Sequence, residues 1–287
     1  MQTVFSIAAD ALAYGMVLFV ISIGLSVTMG LMRVVNLAHG GFAMIGGYIA
    51  SYVARDLALG YALALIAAVV FTILIAIPIE RLLYRRIYGQ PELTQVLMTI
   101  GITFCIIGIA NFVMGPTLKT IPLAPSLQGS ADLGFRTIPI HRLFAIACGL
   151  AVALGLWYAI EKTNFGIKLR ASVDNAAMAA ALGVRTEIVY AVSFAAAVGL
   201  AAFGGVVGSE FLPVEPYYAL RYMVTFLVVV SVGGAGSIPG ALAACLLLGA
   251  IDTTGRYLMP EFGEFFFYLA VIAIICVFPS GLAGRAK

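Results

Sequence analysis

The chain has 287 residues, of which 63% are hydrophobic and 10% charged, with a formal net charge of +3. Soluble domains carry about 25% charged residues, so this composition excludes a soluble protein and predicts an all-α, polytopic transmembrane helical bundle. The basic residues are scattered through short loops with no interleaved aromatics, which excludes a nucleic-acid partner and leaves membrane lipid as the main surroundings.

The first apolar run is too long for the core of a cleaved signal, and the first ten residues lack Lys and Arg. It reads as the first of about eight to nine spans, over 11–32. The next segment breaks the pattern. Asn36 and His39 lie inside an apolar run and are followed at once by Gly40 and Gly41, then by Met44 and Gly47. Polar groups are costly in hydrocarbon, and paired glycines loosen a helix there. The expectation is one broken or re-entrant helix near 34–48 that lines a polar translocation path. For His39 the simplest role is a bond to a neighbouring carbonyl, capping the broken helix. It has no second ligand for a metal and no nearby carboxylate for proton relay.

The remaining spans are expected at 38–53, 57–79, 94–115, 143–160, 188–209, 217–233, 238–255 and 265–279, with the weakest apolar signal at 38–53 and 238–255. The positive-inside rule then sets orientation. Arg33, Arg81, Arg85, Arg86, Lys162, Lys168, Arg170, Arg185, Arg285 and Lys287 fall on one side. Arg55, Lys119, Arg136, Arg142, Arg221 and Arg256 fall on the other. The denser set predicts that 81–93, 161–187 and the C-terminus are cytoplasmic. With nine spans the N-terminus is outside; a re-entrant 36–48 moves it inside. The 116–140 loop, with Pro116, Pro122, Pro125 and Pro139, is extracytoplasmic. No linker divides the chain, so 1–287 reads as a single transmembrane domain. Cys105, Cys148, Cys245 and Cys276 each lie in an apolar segment, as packing residues do.

The loop 161–187 contains a short helix from Asn175 to Leu182, through Ala177, Met178, Ala180 and Ala181. Ser172 or Asp174 is expected to cap its start and Gly183 to end it. So short a helix is marginal alone. Two readings compete: a connector on the membrane surface, and a small-residue face that docks in a groove of another chain.

Glu210, Arg221 and Asp252 fall at the outer level of the later spans. Intramembrane charges pair or face water, so Arg221 is expected to pair with Asp252 or Glu210, or all three to sit in the headgroup zone. Between spans seven and eight, Gly233, Gly234, Gly236, Ser237, Pro239 and Gly240 form a tight turn. Glycine permits positive φ, and Pro239 suits the first turn of the next helix. The turn superficially resembles a phosphate loop but lacks the Lys–Ser/Thr pair. Gly204 and Gly208 make a small-xxx-small pair for close helix packing. No nucleophile–base pair or metal triad occurs, so no catalytic residue is expected.

Three of these segments together resemble a permease subunit of the branched-chain amino acid type of ABC importer, in its LivH-like form. They are Asn36-Leu-Ala-His-Gly40 with Met44-Ile-Gly46, then Phe165-Gly166 through Arg170-Ala171, Asp174 and Ala181-Leu-Gly183, then Gly233–Gly240 with Gly249 and Asp252. Leu37 stands where that family usually has Phe, Ala244 and Cys245 where it often has two glycines, and Thr225 where some members have Lys. The resemblance implies that the 175–182 helix is a coupling helix seated in an ATPase subunit. It further implies a homologous second permease, two ABC ATPases that bind ATP and Mg, a periplasmic substrate-binding protein, and a path between the two permeases in the inner membrane. Branched-chain or other hydrophobic amino acids are the implied substrates, with urea, short amides or organic acids as alternatives. A stand-alone channel or secondary transporter is the competing class.

Overall fold

The computed structural model describes residues 2–132, 137–279 and 281–283; Arg136, Arg285 and Lys287 of the charge pattern lie outside them. The described chain is helical almost throughout. Helices α1 (Gln2–Leu31), α2 (His39–Ser51), α3 (Tyr61–Ile79), α4 (Arg85–Ile87), α5 (Glu92–Met114) and α6 (Ile140–Lys162) precede two short helices, α7 (Asn164–Asp174) and α8 (Ala176–Ala181). Helices α9 (Thr186–Val207), α10 (Tyr218–Gly233), α11 (Ile238–Leu258) and α12 (Gly263–Val277) complete the bundle. The loop after α5 holds a small antiparallel hairpin, β1 (Ser130–Asp132) with β2 (Thr137–Pro139).

Among the described residues six helices are long and apolar enough to cross a membrane: α1, α3 with its extension, α5, α6, α9 and α11. Helices α10 and α12 are shorter apolar rods. The weak signal at 238–255 therefore marks a full-length helix. That at 38–53 marks a shorter one, because α2 starts inside the bundle.

Burial separates the centre of the bundle from its rim. Helix α1 is apolar on all sides, and 83% of its most apolar stretch is buried, against 11% for α6. A membrane helix is apolar all round whether it faces lipid or protein, so it is burial that places α1 at the centre. Helix α1 packs on α6, α9, α10 and α11, while α3, α5 and α6 turn large apolar side chains such as Phe71, Phe112 and Leu154 outward. Cys105 and Cys276 are likewise exposed rather than packed.

Two boundaries differ from expectation for physical reasons. Helix α1 starts at Gln2 rather than near residue 11, because the buried Asp10 carboxylate is paired with Arg142 at the start of α6 and so can stay in the helix. It also accepts from the Tyr257 hydroxyl at 3.2 Å. Helix α3 runs on past Pro78 through a π-helical turn, Glu80–Tyr84, into α4. Proline deletes one backbone bond of the helix, and a π turn is one way the ladder re-forms.

Close crossings are set by glycine. A Cβ on Gly46 of α2 would lie 2.6 Å from Cα and Cβ of Ala202, and one on Gly205 of α9 would collide with the Ala43 carbonyl. Gly204 and Gly208 face Ile21 and Val17 of α1 instead. Helix α9 thus packs α1 on one side and α2 on the other at backbone distance.

Candidate functional site

Three places in the bundle hold the residues singled out by sequence. The first is the break between α1 and α2. Residues 32–38 leave the helix, and Arg33 takes φ +53°. Backbone groups at this depth have no water to bond. Val34 N donates to Thr28 O of α1 at 3.2 Å, and side chains of α5 satisfy two more: Val35 N donates to Gln95 Oε1 at 2.9 Å, and Leu37 N to Thr99 Oγ1 at 3.2 Å. Asn36 Oδ1 accepts from Ala38 N at 3.1 Å and from the Tyr84 hydroxyl at 2.6 Å. Tyr84 is the last residue of the π turn, so that turn aims its ring at the break.

His39 lies with a ring nitrogen 2.8 Å from the Ile21 carbonyl of α1. A carbonyl only accepts, so Nε2 carries the proton. The bond therefore runs to a separate helix rather than to a neighbouring residue. Gly40 lies against Ala219 and Phe226 of α10, Gly41 against Ile106 of α5, and Gly47 against Val214. Asn36, His39 and Met44 are each buried to 1% exposure or less. Asn36 Nδ2 and His39 Nδ1 are buried without a hydrogen-bond partner among the described residues. The break is enclosed within this chain by α1, α5, α9 and α10.

Sequence reasoning missed the three residues that hold this segment, Tyr84, Gln95 and Thr99. A signal for two of them existed: Gln95, Thr99 and Thr103 recur every four residues in an apolar run, which puts a polar stripe on one helix face. Replacing Tyr84 with Phe removes one donor from a buried, doubly used acceptor. The expected loss is about 1–2 kcal/mol, read as a lower midpoint in thermal unfolding of the detergent-solubilised protein; an unchanged midpoint would show that the bond contributes nothing.

The second place is the arm formed by α7 and α8. Asn175, not Ser172 or Asp174, caps α8: its Oδ1 accepts from Met178 N at 2.9 Å. Asp174 instead ends α7, and Ser172 is turned inward, its hydroxyl donating to Lys168 O at 2.7 Å. Gly183 ends α8 with φ +86° and donates to Ala180 O at 2.9 Å. Ala179 is buried, whereas Ala177, Met178, Ala180, Ala181 and Leu182 are exposed, Leu182 to 79%. The arm is tied to the bundle by the Tyr190 hydroxyl of α9, which donates to Ser172 O at 2.7 Å. The Tyr190 ring packs on Tyr88 at 5.9 Å, and Tyr88 donates to Glu80 Oε1 at 3.0 Å. Burial first, then the Glu80 carboxylate, pushes the Tyr88 phenol well above its ordinary pKa, which keeps it a donor.

The third place is the opposite end. Arg221 pairs with Glu215 at 2.8 Å, and Asp252 with Arg256 at 2.9 Å. Arg221 and Asp252 line a common cavity of about 410 Å³ with Asp10, Tyr14 and Arg142, and Glu210 is not among its lining residues. Glu215 and Arg256 are the partners that sequence reasoning did not name. In the turn between α10 and α11, Gly234 and Gly236 take φ +88° and +82°, and Ser237 Oγ accepts from Gly240 N at 3.1 Å. Pro239 sits in the first turn of α11. Gly233 closes α10 and needs space rather than positive φ, since a Cβ there would lie 2.8 Å from Ala241. Gly236 N donates to Ser26 Oγ of α1 at 3.1 Å, which anchors the turn to the centre.

Residues 7–275 match the family model described as branched-chain amino acid transport system / permease component. The chain is 26% identical over 280 residues to the high-affinity branched-chain amino acid transport system permease protein LivH of Salmonella typhimurium, covering 93% of this chain and 91% of that one. It is 26% identical over 291 residues to BraD, a permease protein described in the same words, of Pseudomonas aeruginosa, with 97% and 95% covered. A probable branched-chain amino acid transport permease protein LivH of Methanocaldococcus jannaschii is 24% identical over 295 residues, with 97% and 92% covered. No solved structure matches the chain.

Proposed function

The chain belongs to the family of branched-chain amino acid transport permease components, a multi-pass membrane protein, and from that premise we propose that it is one membrane half of an ATP-driven importer. The observation that carries this reading is α8. Its alanine face is exposed, its two ends are fixed by Asn175 and Gly183, and hydrogen bonds tie it back through α7 to the bundle. A helix built this way is suited to transmit a push from a separate motor.

On this reading the whole chain is one transmembrane unit in the inner membrane. The α8 end is cytoplasmic, because the dense Arg and Lys clusters lie there. Two ATPase subunits bind ATP and Mg and grip α8, a homologous second permease forms the other half, and a periplasmic binding protein delivers solute. The permease itself performs no chemistry. Only unequal binding of ATP to two states of the assembly can drive such a cycle.

The 36–47 segment bounds the path. Its residues are enclosed here, so solute would meet them only when a neighbour such as α10 shifts. Two buried polar atoms without partners among the described residues, Asn36 Nδ2 and His39 Nδ1, support this role, because groups left unsatisfied mark strained or functional positions. Arg221, Asp252 and Glu210 belong to the outer mouth. The substrates are branched-chain or other hydrophobic amino acids; branched-chain amino acids are the class that the relatives' names carry. Uptake by the reconstituted complex with its binding protein and a panel of labelled amino acids, urea, short amides and organic acids tests the assignment. ATP-dependent uptake of leucine, isoleucine or valine is expected. Gradient-driven uptake by the chain alone would overturn the importer reading in favour of a secondary transporter.

A further inference from the structure

A further cavity lies away from the outer mouth, and its lining does not include the residues of the 32–38 break. It measures about 670 Å³ and lies between the foot of α3 and the start of α9, at the α8 end. Its polarity is graded along the helix axes. At the foot stand Arg81, Arg85 and Glu187; one to two turns deeper the walls are Ile77, Val192 and Ala195. The π-helical turn brings Arg81 and, just beyond it, Arg85 onto the same cavity. Arg85 is paired with Glu187. The Arg81 side chain has no hydrogen bond or ion pair among the described residues. Glu80, the other carboxylate in the lining, is 5% exposed and accepts from the Tyr88 hydroxyl. Above the cavity α3 presents Phe71 and Leu74, each 54% exposed, on the apolar outer face of the bundle.

We propose that this groove is a seat for one anionic phospholipid, with its phosphodiester on Arg81 and Arg85 and an acyl chain laid along Ile77, Val192 and Ala195. Two features point to a lipid rather than a soluble anion. The cation lies at the level where headgroups sit, at the end of the span. The wall turns apolar in the direction that acyl chains run. Basic pockets between helices at the cytoplasmic face recognise anionic headgroups by this chemistry. The surrounding end of the chain is itself cationic: Arg33, Arg81, Arg85, Arg86, Lys162, Lys168, Arg170 and Arg185 outnumber Glu80, Glu92, Glu161, Asp174 and Glu187. The groove is also lined by Tyr88 and Tyr190, the rings that join α3 to the α7–α8 arm, so an occupant would brace that joint.

The test does not depend on transport. The full-length protein, delipidated in detergent, is titrated with phosphatidylglycerol, with phosphatidylcholine, and with soluble glycerol 3-phosphate, while thermal unfolding is followed and retained lipid is counted by native mass spectrometry. Phosphatidylglycerol is expected to raise the unfolding midpoint and to remain on the protein at one copy. Arg81→Gln should weaken its binding about fivefold, and Arg55→Gln, at the opposite end, should leave it unchanged. Val192→Trp fills the apolar wall and keeps both arginines; it should lower retention as well, which covers the case where the arginine variant fails to fold. Equal retention by Arg81→Gln and wild type, equal shifts with phosphatidylcholine, or a matching shift with glycerol 3-phosphate would each overturn the proposal.

Discussion

Gly205→Leu should abolish folded protein. Gly205 of α9 faces the Ala43 carbonyl of α2, and even a Cβ would collide with that oxygen. Main chain cannot swing aside as a flexible side chain can. Relief therefore requires α2 and α9 to separate, which also pulls Gly46 away from Ala202. Adding volume to a packed core costs about 1–3 kcal/mol where side chains can adjust, and here they cannot. The expected loss is at or beyond the upper end of that range, which is a large share of a membrane domain's margin. Fluorescence-detected size exclusion of the solubilised protein should show the monodisperse peak lost in Gly205→Leu. Gly108→Leu on α5, where a Cβ meets nothing within 4 Å, is the matched control and should keep its peak. If both variants elute alike, the close α2–α9 crossing is wrong.

Ala180→Pro should leave the bundle folded and stop transport. Ala180 lies in the last turn of α8, and its N–H falls inside the six-residue helix. Proline removes that bond and clashes one turn back, at about 3 kcal/mol, more than so short a helix can offset. Helix α8 is exposed and contributes little to the core, so the unfolding midpoint should move only slightly. Uptake by the reconstituted complex should fall more than tenfold, and ATP hydrolysis should cease to respond to loaded binding protein. A variant that transports at the wild-type rate would remove α8 from the coupling role.

The fold class was legible because hydropathy is a local property. Each long apolar run became a helix, and Gly234, Gly236 and Gly183 took the left-handed backbone that turns and helix ends demand. What sequence hid was mostly long-range. Asp10 looked like a boundary because its partner, Arg142, is remote in sequence. The residues around Asn36 were visible as an anomaly, but Tyr84, Gln95 and Thr99, which satisfy the break, come from two later helices. Arg221 had several acidic candidates, and its pair with Glu215 is visible only in the packing. The choice of Asn175 over Ser172 and Asp174 follows from α7, which runs as a helix through both of those residues and leaves the Ser172 hydroxyl on Lys168 O.

The stretch between the first two helices bears on biogenesis. Its amides at Val35 and Leu37 are bonded only to side chains made some sixty residues later. As the ribosome delivers the first hairpin, these groups have no partner in lipid. The opening pair of segments must wait beside the translocon, or with water, until Gln95 and Thr99 emerge. Truncation before residue 95 should yield a nascent chain that membrane quality control degrades, while one that ends after Met114 should escape it.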